Sequence, residues 1–225
     1  MNSVIARAPS VGNKADRVYE ALREEFLRGD WPFGKTFSTY ELAERFDVSR
    51  RPVMDAVLRL EAEGFMEIIP QVGCRIVVPD ERRVREQFEL AQALEGAAAR
   101  HAARVREDAD VRRLREIHAV AAKIVKARDA EAYRDVNRDF HVALLEISRS
   151  GAIAQVALGN WQLREFYIQH YRTAGADPEL KRRHGEHAAI IAAIAAGDGE
   201  AARAHMEAHL APERAAALMR SLGDL

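Results

Sequence analysis

The sequence predicts a mainly α protein in two parts: a helix-turn-helix closed by a small β-hairpin, then an all-α helical bundle. Three observations carry this. Apolar residues recur at helical spacing through residue 62, β-branched runs flank Pro70-Gln71-Val72-Gly73, and no strand signal returns after Glu81. At 225 residues, 48% hydrophobic and 31% charged, the chain has the composition of an ordinary globular protein rather than a disordered or fibrous one. Its longest uncharged run, Ser150 to Leu163, is too short to cross a bilayer, so no membrane partner is expected.

Val18, Leu22 and Phe26 share one face of a helix expected over about 16–28 and stopped by Gly29-Asp30-Trp31-Pro32. Trp31, Phe33 and Phe37 are expected to pack around that first connection. Ser38 or Thr39 can cap a second helix, roughly Tyr40 to Phe46, with Leu42 and Phe46 facing inward. Ser49 is placed to cap a third, Arg50 to Ala62, with Pro52 in its first turn and Val53, Val57 and Leu60 on the inner face. Gly64 ends it. Phe65 to Ile69 and Arg75 to Val78 then read as two strands, and Cys74 as a strand residue.

Behind the hairpin, six helices are expected at about 81–103, 108–127, 130–148, 151–173, 178–196 and 199–220. Asp177-Pro178 reads as an N-cap with Pro at N1, Gly197-Asp198 as a stop followed by a cap, and Pro212 should kink or divide the last stretch. Short connections between long helices favour antiparallel neighbours, hence a bundle. The expected domains are 1–79 and 80–225.

Helix, turn, helix and hairpin in that order make a winged helix-turn-helix, whose second paired helix enters the major groove. Ser49, Arg50 and Arg51 stand at the start of that helix, where free N–H groups also attract phosphate. Charge elsewhere contributes little: 34 Lys and Arg against 35 Asp and Glu leave a net of -1, so DNA binding must come from local placement.

The stretch ELAERFDVSRRPVMDAVLRLEAEGFMEIIPQVGCRIV closely resembles the winged-helix domain of GntR-family bacterial transcription regulators, over about residues 15 to 78. The resemblance implies that Ser49, Arg50, Arg51 and Pro52, with Gly73 on the wing, approach DNA. Met54 stands where the family often has Arg, so one polar contact to DNA is replaced.

Three of the eight histidines, His141, His187 and His209, fall on three different expected helices. Asn137 precedes His141 by four and shares its face, and His187 and His209 flank the Gly197 break. Neutral imidazoles suit a divalent transition metal of the Zn, Ni, Cu or Fe type, although each histidine alone also fits a polar or core position. Cys74 is the single cysteine, which excludes an intrachain disulfide and any thiolate cluster.

The segments LEGAAARHAA, DVNRDFHVALLEIS and EHAAIIAAIAAGDGEAARAHMEAHL resemble the FCD ligand-binding domain of the FadR-like branch of that family. The resemblance implies a metal held by Asn137, His141, His187 and His209, with a small organic acid effector beside it. Asn137 replaces the usual Asp, and Ala91 replaces an Arg that holds the effector carboxylate in many members; a cationic clamp would then come from Arg164, from Arg172 or from neither, both also reading as surface residues. His184 and His205, one turn from two of the ligands, read as solvated, as supporting groups or as alternative ligands.

The function expected is a metabolite-responsive regulator, a repressor, that binds a palindromic double-stranded operator as a homodimer. The N-terminus MNSVIARAPS lacks the apolar core of a secretory signal, so a cytoplasmic location is expected. The rival reading is a metal-dependent hydrolase or lyase on the three histidines. It lacks a positioned acid or base, because Glu186, next to His187 on a helix, points about 100° away from it.

Overall fold

The computed structural model describes residues 13–171 and 179–213. Its elements run α1 (Lys14–Arg28), β1 (Thr36–Phe37), α2 (Thr39–Arg45), α3 (Arg50–Ala62), β2 (Met66–Ile69), β3 (Gly73–Ile76), α4 (Glu81–Val105), α5 (Asp108–Ala127), α6 (Ala130–Ile147), α7 (Gly151–Tyr171), α8 (Leu180–Ala196) and α9 (Gly199–His209). The described residues fall into two compact units. One holds the chain up to Asp80 with Gln162–His170, and the other holds Glu81–Trp161 with the residues from Tyr171 on.

In the first unit, α1 starts on Asn13, whose side chain accepts from Ala15 and Asp16 N–H, and ends on Gly29 in the left-handed conformation. Ser38 caps α2 in a reciprocal box with Glu41. The expected cap on α3 does not form. Ser49 takes the extended N-cap conformation, but its side chain makes no capping hydrogen bond.

The buried faces of α1 (Val18, Leu22, Phe26) and α3 (Val53, Val57, Leu60) meet over Phe65 and Ile76. Phe166 from the C-terminal half of α7 completes this core, its ring 5.9 Å from Phe26, 5.1 Å from Phe65 and 4.8 Å from Phe33. Trp31 and Phe37 pack edge to face beside it at 4.4 Å.

The hairpin differs from expectation in two ways. It carries a third strand, β1, in the order β1-β3-β2, all antiparallel. Its second strand is Gly73–Ile76 rather than Arg75 to Val78, with Ile69 paired to Gly73 and Met66 to Ile76. The cause is the turn: Val72 N–H bonds to Ile69 carbonyl, Pro70 sits second, and Gln71 takes φ +64 in the third position. Cys74 lies buried on β3, as expected of a strand residue.

The second unit is an all-α bundle. Ala91, Ala98 and Ala102 form a small-residue stripe on α4 that lets α9 approach closely; a Cβ added at Gly199 would stand 3.1 Å from Arg100 carbonyl oxygen. Phe140, Leu144, Ile190, Ile194 and Met206 fill the core between helices. Asp198 caps α9 through Ala201 N–H after the left-handed Gly197, as the sequence predicts, and Asp129 caps α6 through Ala132 N–H. Helix α9 ends at His209, before Pro212, and the expected stretch from 214 to 220 lies outside the described residues, as do Asp177 and Pro178.

Candidate DNA interface and metal centre

Helix α3 presents its N-terminus to solvent. Ser49, Arg50 and Arg51 are exposed, Pro52 is half-buried, and no acidic side chain occupies the first turn, so the dipole and the free N–H groups there are unopposed. Arg51 makes no hydrogen bond or ion pair among the described residues. Arg50 is held: its Nε donates to Thr39 Oγ1 at 3.2 Å, its Nη1 donates to the Tyr40 hydroxyl at 2.9 Å, and its guanidinium lies 4.1 Å from the Tyr40 ring centroid. Tyr40 is 65% exposed, and no motif marks it. It directs one of the two helix-start arginines.

Gly73, expected on the wing, is where β3 begins. Its φ is +143, and a Cβ there would fall 2.2 Å from Phe37 carbonyl oxygen. The close approach of β1 therefore requires glycine by itself, whatever the wing touches. Beside it, Arg75 pairs across the strands with Glu67 at 2.7 Å.

In the second unit, α6, α8 and α9 bring together His141, His187 and His209, buried to 2%, 2% and 5% exposure, with one ring nitrogen from each within 4.8 Å of the others. His187 Nε2 lies 3.2 Å from His209 Nε2, the spacing of neighbouring nitrogens on one ion with bonds of about 2.0–2.1 Å. The His187 ring stacks on Phe140 at 3.9 Å. Two carboxylates stand behind the rings. His141 Nδ1 meets Glu95 Oε2, and His209 Nδ1 meets Glu186 Oε2 at 2.8 Å.

Burial drives His187 well below the usual histidine range, and positive charge on His209 and His141 would add to that. Burial likewise takes His209 down to about 4 against the opposing hydrogen bond from Glu186. Both rings are neutral near pH 7, the form a metal needs.

Asn137 lies one turn before His141 on α6, and its Oδ1 is buried without a hydrogen-bond partner among the described residues. An orphaned carboxamide oxygen on the helix that carries His141, together with three convergent imidazoles, fits a divalent transition metal.

The other expected residues stand elsewhere. His184 stacks on His118 at 3.9 Å, away from the trio, and His205 is exposed. Arg164 is buried on α7, in the part of that helix belonging to the first unit, and Arg172 lies outside the described residues. Ala91 is buried on α4. Glu95, at 1% exposure, is part of the site although it was not among the expected site residues.

A winged helix-turn-helix with an arginine-bearing helix start, joined to a helical bundle that holds a buried polar cluster, defines a DNA-binding regulator with a sensing domain. The comparisons agree. Residues 14–76 match the bacterial regulatory proteins, gntR family, and residues 86–221 match the FCD domain; the chain belongs to the GntR family and carries an FCD domain.

It is 26% identical over 198 residues to the HTH-type transcriptional repressor RspR of Escherichia coli strain K12, covering 86% of this chain and 84% of that one. It is 27% identical over 202 residues to the HTH-type transcriptional regulator LutR of Bacillus subtilis strain 168, covering 80% and 89%. Among solved structures, E. coli McbR/YncC shares the fold with a TM-score of 0.73 at 23% identity, over 93% of this chain and 99% of that one. The chain is a metabolite-responsive, DNA-binding transcription regulator and not an enzyme. The hydrolase or lyase reading is set aside. Among the described residues no helix is long and apolar enough to cross a membrane.

Proposed function

We propose that the protein is a cytoplasmic repressor that binds a palindromic operator as a homodimer, its winged helix in 1–79 governed by a metal and a small organic acid held in 80–225. The convergence of His141, His187 and His209 around a shared centre supports the sensing half of this reading. Those three rings and Asn137 would hold the ion, and a bound ion of the Zn, Ni or Fe type supplies an electrophilic position for an acid oxygen.

Ser49, Arg50, Arg51 and Pro52 are the residues assigned to the major groove, and Gly73 to the wing's approach. RspR carries the word repressor in its name, which favours repression here. Two-fold symmetry matches two half-sites, and the effector acts by binding one arrangement of the dimer better than another.

The test pairs two variants. Arg50→Ala with Arg51→Ala should abolish operator binding in an anisotropy titration while the melting profile and oligomeric mass stay as in wild type; retained specific binding would refute the recognition helix. His187→Ala should lose bound zinc by elemental analysis, and unchanged zinc content would refute the centre.

A further inference from the structure

We propose that Glu95 and Glu186 are working parts of the metal centre. Each fixes an imidazole through Nδ1 so that Nε2 faces the ion, and their charge balances a dication whose direct ligands are all neutral. The inference rests on the metal-binding reading above.

The ligand set is three imidazoles and a carboxamide, which together bring no negative charge to a buried site. A dication placed there without compensation carries a large desolvation cost, and buried charges persist only when paired. Glu95 supplies the pairing from α4, a helix that gives no direct ligand. Its carboxyl is 1% exposed and in contact with His141 Nδ1. Its position in the alanine stripe is otherwise hard to explain: Ala91, Ala98 and Ala102 share its face, and an acid amid them costs stability unless it serves a neighbour.

The tautomers follow from the same contacts. A carboxylate only accepts hydrogen bonds, so the ring nitrogen facing it must carry the proton and the opposite nitrogen keeps its lone pair. For His141 and for His209 this leaves Nε2 as the donor atom. In His209 that atom is the one 3.2 Å from His187 Nε2, so the tautomer set by Glu186 points its lone pair into the cluster. Glu186 is itself fixed, because its other oxygen accepts from Arg182 Nη1 at 2.6 Å. The sequential neighbours Glu186 and His187 thus reach the centre from two sides, one through His209 and one directly.

The experiment is zinc competition against a chelator of known affinity, with the full-length protein stripped of metal, for wild type, Glu95→Gln and Glu186→Gln. Each substitution keeps the shape and removes the charge. Loss of such outer partners weakens a metal by about 10- to 100-fold, and that loss is expected here. The melting temperature of metal-free Glu186→Gln should match wild type while the rise produced by zinc shrinks; a merely structural carboxylate would lower the first and leave zinc affinity alone. Adding Asn137→Asp to Glu186→Gln should restore affinity by returning a negative charge to the site.

Zinc binding as tight as wild type in both variants would overturn the inference while leaving the centre standing. A wild type that binds no zinc would instead remove the centre itself. If Glu95→Gln does not fold, Glu186→Gln and its Asn137→Asp partner decide the matter.

Discussion

Replacing Gly73 by alanine should unfold the wing, and the structure sets the size of the effect. The added Cβ would stand 2.2 Å from Phe37 carbonyl oxygen and 3.0 Å from its carbon, about 1 Å inside ordinary contact, and φ +143 is itself a backbone state that alanine avoids. Conformational strain of this kind costs about 1–3 kcal/mol. Relief requires β1 to part from β3, which breaks the Phe37–Cys74 and Thr36–Arg75 pairings, each hydrogen bond contributing about 1 kcal/mol. A total of about 3–5 kcal/mol is expected, which in a unit of this size lowers Tm by roughly 12–40 °C.

Trp31 reports it, since its ring lies 4.4 Å from Phe37 and the sequence holds one other tryptophan, Trp161, which Phe can replace in the background. Fluorescence melting of Trp161→Phe with and without Gly73→Ala is the assay. A Trp31 transition moved by less than about 2 °C would refute the close-approach argument. If operator binding were nevertheless lost in that variant, Gly73 would be needed for DNA alone.

Further outcomes follow from individual contacts. Tyr40→Ala releases Arg50 and should weaken operator binding about 2- to 5-fold, the worth of an exposed cation–π contact, while Tyr40→Phe keeps the ring and most of the affinity; equal binding by all three proteins in a titration would contradict this. Phe166→Ala removes a ring that touches Phe26, Phe33 and Phe65 and should cost the first unit about 3–5 kcal/mol in urea unfolding, a loss below about 1 kcal/mol being inconsistent with the core described.

Burial raises the Cys74 thiol from 9.0 to about 11. Its protonated form is thus favoured by folding, a contribution complete below pH 9 and lost as the pH climbs toward 11. At pH 8 a maleimide should label the native protein far more slowly than the urea-unfolded chain, and equal rates would refute the burial.

The long helices were legible because their signals are local. The Val18-Leu22-Phe26 spacing, the stops at Gly29 and Gly197, and the cap Asp198 each act within one or two turns. What the sequence did not show is held by contacts distant in the chain. Strand β1 is two residues long, too short for any alternation, and exists through its pairing with β3 nearly forty positions later. The shift of β3 has a different origin: the β-branched run at 76–78 is the stronger propensity signal, but the turn at Pro70-Gln71 fixes the register two residues earlier. The absent Ser49 cap shows that a residue type suited to capping does not ensure the bond.

The histidine cluster divides along the same line. His141, His187 and His209 were legible as a set through the family resemblance, because a histidine that binds metal and one that fills a core look alike in isolation. Glu95 had a signal of its own that needed no relatives: one acid on the apolar face of a helix whose other buried positions are mostly alanine. A carboxylate survives at 1% exposure only beside a partner that repays its desolvation, so its presence implies a cationic or proton-donating group opposite, and His141 is that group. Tyr40 had no such signal. Its exposed ring reads as an ordinary surface residue until Arg50, ten positions later at the start of the next helix, is seen lying against it. A buried charge in an apolar stripe can therefore be found from sequence, whereas an exposed aromatic that directs a charge takes its meaning from the fold.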